Sequence, residues 1–170
     1  MTYTGEDYCE NIILTGMPGA GKSTVGPILA GKLGFSFIDT DVIIKEEDGR
    51  ELRNIVAEDG FEAFLEIQRE IILRRSFHRN VIATGGSVVT DGELMRFFKE
   101  NGHIVYLEQD IGTLERRVAP DRRLARKSGQ SFRQMFEQRR PLYIKYAEST
   151  VLCRGKNPEE IAAEICALLL

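Results

Sequence analysis

The chain is poor in the residues that many function classes depend on. Its three cysteines, Cys9, Cys153 and Cys166, are scattered and odd in number, and form neither a disulfide framework nor a metal-binding spacing. Such sparse use fits a reducing cytoplasm, the expected location. The two histidines, His78 and His103, stand without ligand spacing and read as structural. No apolar run reaches bilayer-spanning length, and residues 1–10 are polar and acidic, unlike a signal peptide, so no membrane partner is expected. A basic surface is missing too. A net charge of −3 and an isoelectric point near 5.6 argue against a general nucleic-acid binder. Repeats and low-complexity tracts are absent. What remains is a chain of 170 residues, 42% apolar and 29% charged, the size and balance of one globular domain over residues 1–170.

Against that background one stretch stands out. A short apolar run from Asn11 ends in Gly16-Met17-Pro18-Gly19-Ala20-Gly21-Lys22-Ser23-Thr24, which fits G-x-x-x-x-G-K-[ST] at all four fixed positions. The run reads as a buried strand, and residues 23–33 read as a helix, which is the context this motif requires. Gly16, Gly19 and Gly21 let successive N–H groups turn inward around phosphate oxygens, with Pro18 and Ala20 between them. The following helix adds unpaired N–H groups and its positive dipole end. Lys22 supplies a mobile cation for the β and γ phosphates, and the Ser23 hydroxyl is a Mg²⁺ ligand. A glycine-rich turn that merely joins strand to helix is the bland alternative, and the full match with correct flanks disfavours it.

Along the rest of the chain, strands and helices alternate. Residues 34–39 read as a second strand, followed by a polar, mostly helical segment over 41–58. Gly60 opens a helix, and residues 80–84 form a third short apolar run closed by Gly85-Gly86. Asp91 is placed to cap the next helix. Residues 103–107 give a fourth strand, 111–118 a helix, and 151–153 the last strand. Asn157-Pro158-Glu159-Glu160 opens a C-terminal helix with a cap, an N1 proline and acids in the first turn. The tail at 161–170 has helical apolar spacing and is expected to pack on the sheet. This alternation predicts an α/β fold with a parallel sheet covered on both faces.

Three constellations bear on chemistry. Asp39 and Asp41 fall at the C-terminal end of the second strand, the edge where open parallel sheets bind ligands, and suit Mg²⁺ and a substrate hydroxyl. The competing reading makes Asp41 only a helix cap. Gly85 and Gly86 lie at the same edge, where backbone can approach a ligand, with a plain left-handed turn as the competing reading. The segment 119–130 carries a cation cluster with little apolar content. Beside a phosphate site it is expected to be a lid that excludes water, against the alternative of a solvated loop. Two exposed arginines would be the default for Arg139-Arg140 in a helical pattern.

Taken together, the phosphate loop, Phe37-Ile38-Asp39-Thr40-Asp41, Ala83-Thr84-Gly85-Gly86 and Arg139-Arg140-Pro141-Leu142-Tyr143 resemble the shikimate kinase family of small P-loop kinases. The resemblance spans nearly the whole chain from Asn11. It implies a three-layer P-loop kinase fold with a five-stranded parallel sheet in the order 2-3-1-4-5. It also implies Mg²⁺ held by Ser23 and, through water, Asp39, and an acceptor hydroxyl bound and helped to deprotonate by Asp41. Gly85 and Gly86 would line the substrate site, Arg117 would lie beside adenine, Arg122 would act from the lid, and Arg139 would bind the substrate carboxylate.

The departures are equally specific. A third glycine is expected after the third strand, and Ser87 stands there. The lid's Arg-Pro-Leu is replaced by Arg122-Arg123-Leu124. A Phe-Arg pair should grip the carboxylate from the helix after Gly60, and here it is Phe64-Leu65. Either Arg69, one helical turn on, leans back toward the site, or Leu65 lines a more apolar pocket. The expectation is a monomeric enzyme moving the γ-phosphoryl of ATP, with Mg²⁺, to a hydroxyl of a small metabolite, shikimate first. A related kinase with another hydroxylated acceptor, a nucleoside monophosphate kinase and a regulatory ATPase without an acceptor are the alternatives.

Overall fold

A computed structural model describes residues 11–118, 124 and 126–169. The sheet has five parallel strands in the order β2-β3-β1-β4-β5, the order that the family resemblance implies. At its centre β1 (Asn11–Thr15) is buried along its whole length, as a strand covered on both faces must be. Its polar first residue is fully satisfied. Asn11 Nδ2 donates to the carbonyls of Phe77 at 3.1 Å and Asn101 at 2.8 Å, while Oδ1 accepts the Asn80 N–H at 3.0 Å. That clasp registers β1 against β3 (Asn80–Ala83). On the other side lies β4 (His103–Glu108), then β5 (Ser149–Leu152) at one edge, with β2 (Ser36–Asp39) at the other.

Helices join the strands. α1 (Lys22–Leu33) leads from β1 to β2, and α2 (Thr40–Asp48), α3 (Leu52–Asp59) and α4 (Phe61–Leu73) lead from β2 to β3. The segment read as one helical stretch is two, because Gly49 at φ 85° ends α2 in a left-handed cap. α5 (Gly92–Asn101) precedes β4, α6 (Ile111–Arg117) and α7 (Phe132–Tyr146) precede β5, and α8 (Pro158–Leu168) closes the chain. Right-handed crossovers sort them. Only the step from β1 to β2 runs toward the β2 edge, so α1 lies on one face, where α8 packs against it, and α4, α5 and α7 lie on the other. The tail therefore packs on α1 as well as on β5. Close approach of α1 to the sheet depends on Gly26, because a Cβ there would collide with the Phe37 ring.

The strand bounds differ from the sequence reading only at their ends. The last strand begins at Ser149 rather than 151, since Val105 to Glu108 offer partners to all of Ser149–Leu152. Asp91, Ser131 and Asn157 cap α5, α7 and α8 with their side chains, and the last two complete capping boxes with Gln134 and Glu160. Among the described residues no helix is long and apolar enough to cross a membrane.

Candidate active site

All five strands point their C-terminal ends at one cavity of about 890 Å³. Its phosphate end is the loop between β1 and α1. Gly16 there has φ 148°, and a Cβ would press within 2.8 Å of the Leu107 carbonyl oxygen, so the turn over β4 requires glycine. At the far end of the loop Gly21 caps α1 at φ 102° with no side-chain hydrogen bond, and α1 has no acid in its first turn. α2, α5, α6, α7 and α8 have side-chain caps, whereas α3 and α4, like α1, do not. A helix start left with its N–H groups and positive end uncovered is suited to an anion. Lys22 is nearly buried, and its Nζ donates to the carbonyls of Gly16 at 2.5 Å and Met17 at 2.9 Å, which holds the ammonium above the loop. Pro18, Gly19, Ala20, Ser23 and Thr24 line the same wall. Arg117, at the end of α6, donates from Nη1 to the Gly19 carbonyl at 3.0 Å and so lies against the loop's outer rim.

Two of the residues expected to serve Mg²⁺ meet. Ser23 Oγ donates to Asp39 Oδ2 at 2.9 Å across the gap between α1 and β2. Among the described residues no cluster of three or more His, Cys, Asp or Glu could hold a metal. A hydroxyl and one carboxylate fit a hard cation that keeps several waters and takes its other ligands from phosphate.

The competing reading of Asp41 as a cap is resolved by its neighbour. Asp39 is the N-cap of α2, its Oδ1 accepting the Asp41 N–H at 2.9 Å. Asp41 sits inside the first turn with its carboxylate over Gly85, where any Cβ would collide with Oδ1. Thr40, fully buried, fixes the approach by accepting the Gly85 N–H at 2.9 Å. The glycine is needed because the carboxylate occupies the space a side chain would take.

Arg139 departs most from the sequence default. It is 2% exposed, whereas Arg140 is exposed and pairs with Glu108 at 2.6 Å. Burial pulls the Arg139 pKa below the usual arginine range, and the Tyr143 hydroxyl works in the opposite direction. Tyr143 donates its proton to the Gly86 carbonyl at 2.8 Å, which leaves its lone pairs toward Arg139. Burial raises the Tyr143 pKa well above the tyrosine range. Tyr106, stacked on Tyr143 with centroids 5.1 Å apart, is pushed up to about 12 by burial and then by Glu108. Arginine, tyrosine and glycine carbonyl thus form one chain of contacts beside Gly86. Tyr143 was missed as a site residue, although it lies in the same five-residue run as Arg139.

Two expectations about α4 need correction. Leu65 does not line the cavity; it packs, half-buried, against the hydrophobic core. Arg69 turns away from the site, because Asp91 Oδ2 holds its Nε at 2.6 Å, with Glu93 at 3.7 Å. Asp91 still has Oδ1 to cap α5, so the pair also ties α4 to α5. Arg122 and the 119–123 part of the expected lid lie outside the described residues; Leu124, which is described, reaches the cavity. Sequence reading also missed that Val42, Leu52 and Arg53, and Lys156, Pro158 and Ile161 around the start of α8, line the cavity. Asn157-Pro158 signalled a cap, and nothing in that signal marks a cavity wall.

A phosphate loop at the C-terminal edge of this sheet, facing a carboxylate and a buried arginine across one cavity, defines a small P-loop kinase. A family model described as shikimate kinase matches residues 18–170, and the chain belongs to the shikimate kinase family. It is 38% identical over 158 residues to a shikimate kinase of Persephonella marina, covering 91% of this chain and 96% of that one. Among solved structures it resembles shikimate kinase from Acinetobacter baumannii in complex with shikimate, with a TM-score of 0.81 at 29% identity, covering 95% of this chain and 93% of that one. The Bacteroides thetaiotaomicron shikimate kinase gives 0.81 at 27% identity, covering 94% and 98%.

Proposed function

We propose that this kinase transfers the γ-phosphoryl group of ATP to a hydroxyl of shikimate. The observation that carries the reading is the single cavity shared by the phosphate loop, Asp41 and Arg139. In it Lys22 and the open start of α1 take the phosphates, and Arg117 lies where a base would leave the loop. Mg²⁺ on Ser23 and, through water, Asp39 would supply charge neutralisation at the β and γ oxygens. Asp41 orients the acceptor hydroxyl and receives its proton as the oxygen attacks phosphorus. Arg139, pre-positioned by Tyr143, binds the acceptor's carboxylate. Arg122, by the family resemblance, would neutralise charge at the phosphates. The transfer needs placement and electrostatics rather than a covalent intermediate.

A regulatory ATPase has no use for a buried arginine and a carboxylate facing the phosphate loop. Steady-state ATP consumption separates the readings. ADP release should rise at least tenfold when shikimate is added, and should not rise with nucleoside monophosphates. A rate unchanged by shikimate would overturn the assignment.

A further inference from the structure

Ser87 follows Gly85 and Gly86 beyond β3 and lines the cavity, although it is only 4% exposed. Its Oγ lies 3.1 Å from Oε1 of Gln68, a fully buried glutamine of α4. In that arrangement Ser87 is the donor, and the buried Nε2 of Gln68 has no hydrogen-bond partner among the described residues. Both N–H groups of that amide then lack an acceptor; turning the amide leaves one N–H and the carbonyl idle instead, and an idle buried N–H is the rarer of the two. A half-turn of the amide about its last bond exchanges the two atoms and brings Nε2 to Ser87. The serine oxygen then accepts from Gln68, and its own proton is left to give. The acceptor end of the cavity is where that proton can go.

We propose that Ser87 donates a hydrogen bond to the acceptor substrate, with Gln68 as the positioning residue that holds the serine oxygen from behind. This rests on the reading of the cavity as a shikimate site. It also says what the α4 side offers in the absence of a cation. Leu65, one turn before Gln68, packs half-buried against the core, and Arg69 is held by Asp91. The wall presents a neutral hydroxyl, a donor that suits a ring hydroxyl or one carboxylate oxygen.

The test is steady-state kinetics with shikimate and ATP for wild type, Ser87→Ala, Ser87→Thr, Gln68→Glu and the double variant S87A/Q68E, each with its melting temperature. Loss of one neutral hydrogen bond should raise KM for shikimate about five- to tenfold in Ser87→Ala. KM for ATP and the melting temperature should hold, and Ser87→Thr should restore most of the affinity. Gln68→Glu keeps the shape, and at a pH where this buried carboxyl is ionised it has no proton to give, so there it should recapture the serine proton and raise KM as Ser87→Ala does. The double variant should be no worse than Ser87→Ala alone. A KM for shikimate within twofold of wild type in Ser87→Ala, or an unaffected Gln68→Glu, would overturn the proposal while leaving the kinase assignment standing. So would a fall in melting temperature with both KM values rising together, which assigns Ser87 to structure alone. A wild type that does not phosphorylate shikimate would overturn the assignment itself, and this proposal with it.

Discussion

At the proposed phosphate end the cavity wall is a single loop with its backbone turned inward, whereas at the proposed acceptor end it is built by side chains from distant parts of the chain. The phosphate end is one contiguous loop, Gly16 to Thr24, whose glycine conformations and uncapped helix start make the site whatever surrounds it. The acceptor end takes Asp41 from α2, Gly85 and Gly86 from the β3 edge, and Arg139 and Tyr143 from α7. Backbone sites tolerate little change, since each N–H is fixed by a dihedral angle. Side-chain sites can be rebuilt one residue at a time. Of the departures from the family pattern, Ser87 lies in the wall of the cavity opposite the phosphate loop, and Leu65 packs on the core beside it.

The comparison breaks most visibly at Lys22. Lys22→Ala removes the buried cation held at the phosphate loop, and kcat should fall at least 10³-fold, on the order of losing a major electrostatic stabiliser. Circular dichroism should show the fold intact. If turnover stays above a tenth of wild type, the lysine is not at the phosphates.

Asp41 comes next. Asp41→Asn keeps the size and loses the proton acceptor, so kcat should drop on the order of 10²-fold or more, with ATP affinity within twofold. Since Asp39 already caps α2, stability should hardly change. Loss of ATP affinity in step with kcat would erase the distinction between the two ends.

Arg139→Lys should act on the acceptor alone. A planar, often bidentate contact becomes a point charge, and KM for shikimate should rise about 10- to 100-fold while KM for ATP holds. Equal changes in both constants would make Arg139 a structural group.

The two ends also differed in how far the sequence revealed them. Contiguity made the phosphate loop legible, because motif, strand and helix all lie within about two dozen residues. The sheet order came from the family resemblance, and alternation alone gave only its parallel class. Arg139 was named as a ligand through that resemblance, but its burial was not visible, because helical spacing around it suggests an exposed pair. Arg140 fits that pattern and Arg139 does not, since Tyr143 and the β3 edge enclose it. The fate of Arg69 depended on Asp91, twenty-two positions away, and Asp91 already had a complete local explanation as a cap. A residue serving two partners is hidden behind the nearer one.

The smallest expected effect lies outside both ends. Ser131→Ala removes the cap and half the capping box of α7, which should cost about 1 kcal/mol. Thermal unfolding should then shift down by about 2–4 °C for a chain of this length, with kcat little changed. A larger loss of activity than of stability would mean that the start of α7 takes part in the site.

The most direct test of the account is a single turnover in which the wild-type protein, loaded with ATP and Mg²⁺, is mixed with excess shikimate and the products are identified. The account predicts that ADP and a phosphate monoester of shikimate appear together in equal amounts, and that both are lost in Asp41→Asn while bound ATP remains. ADP forming at the same rate without shikimate, as free phosphate and with no ester, would contradict it.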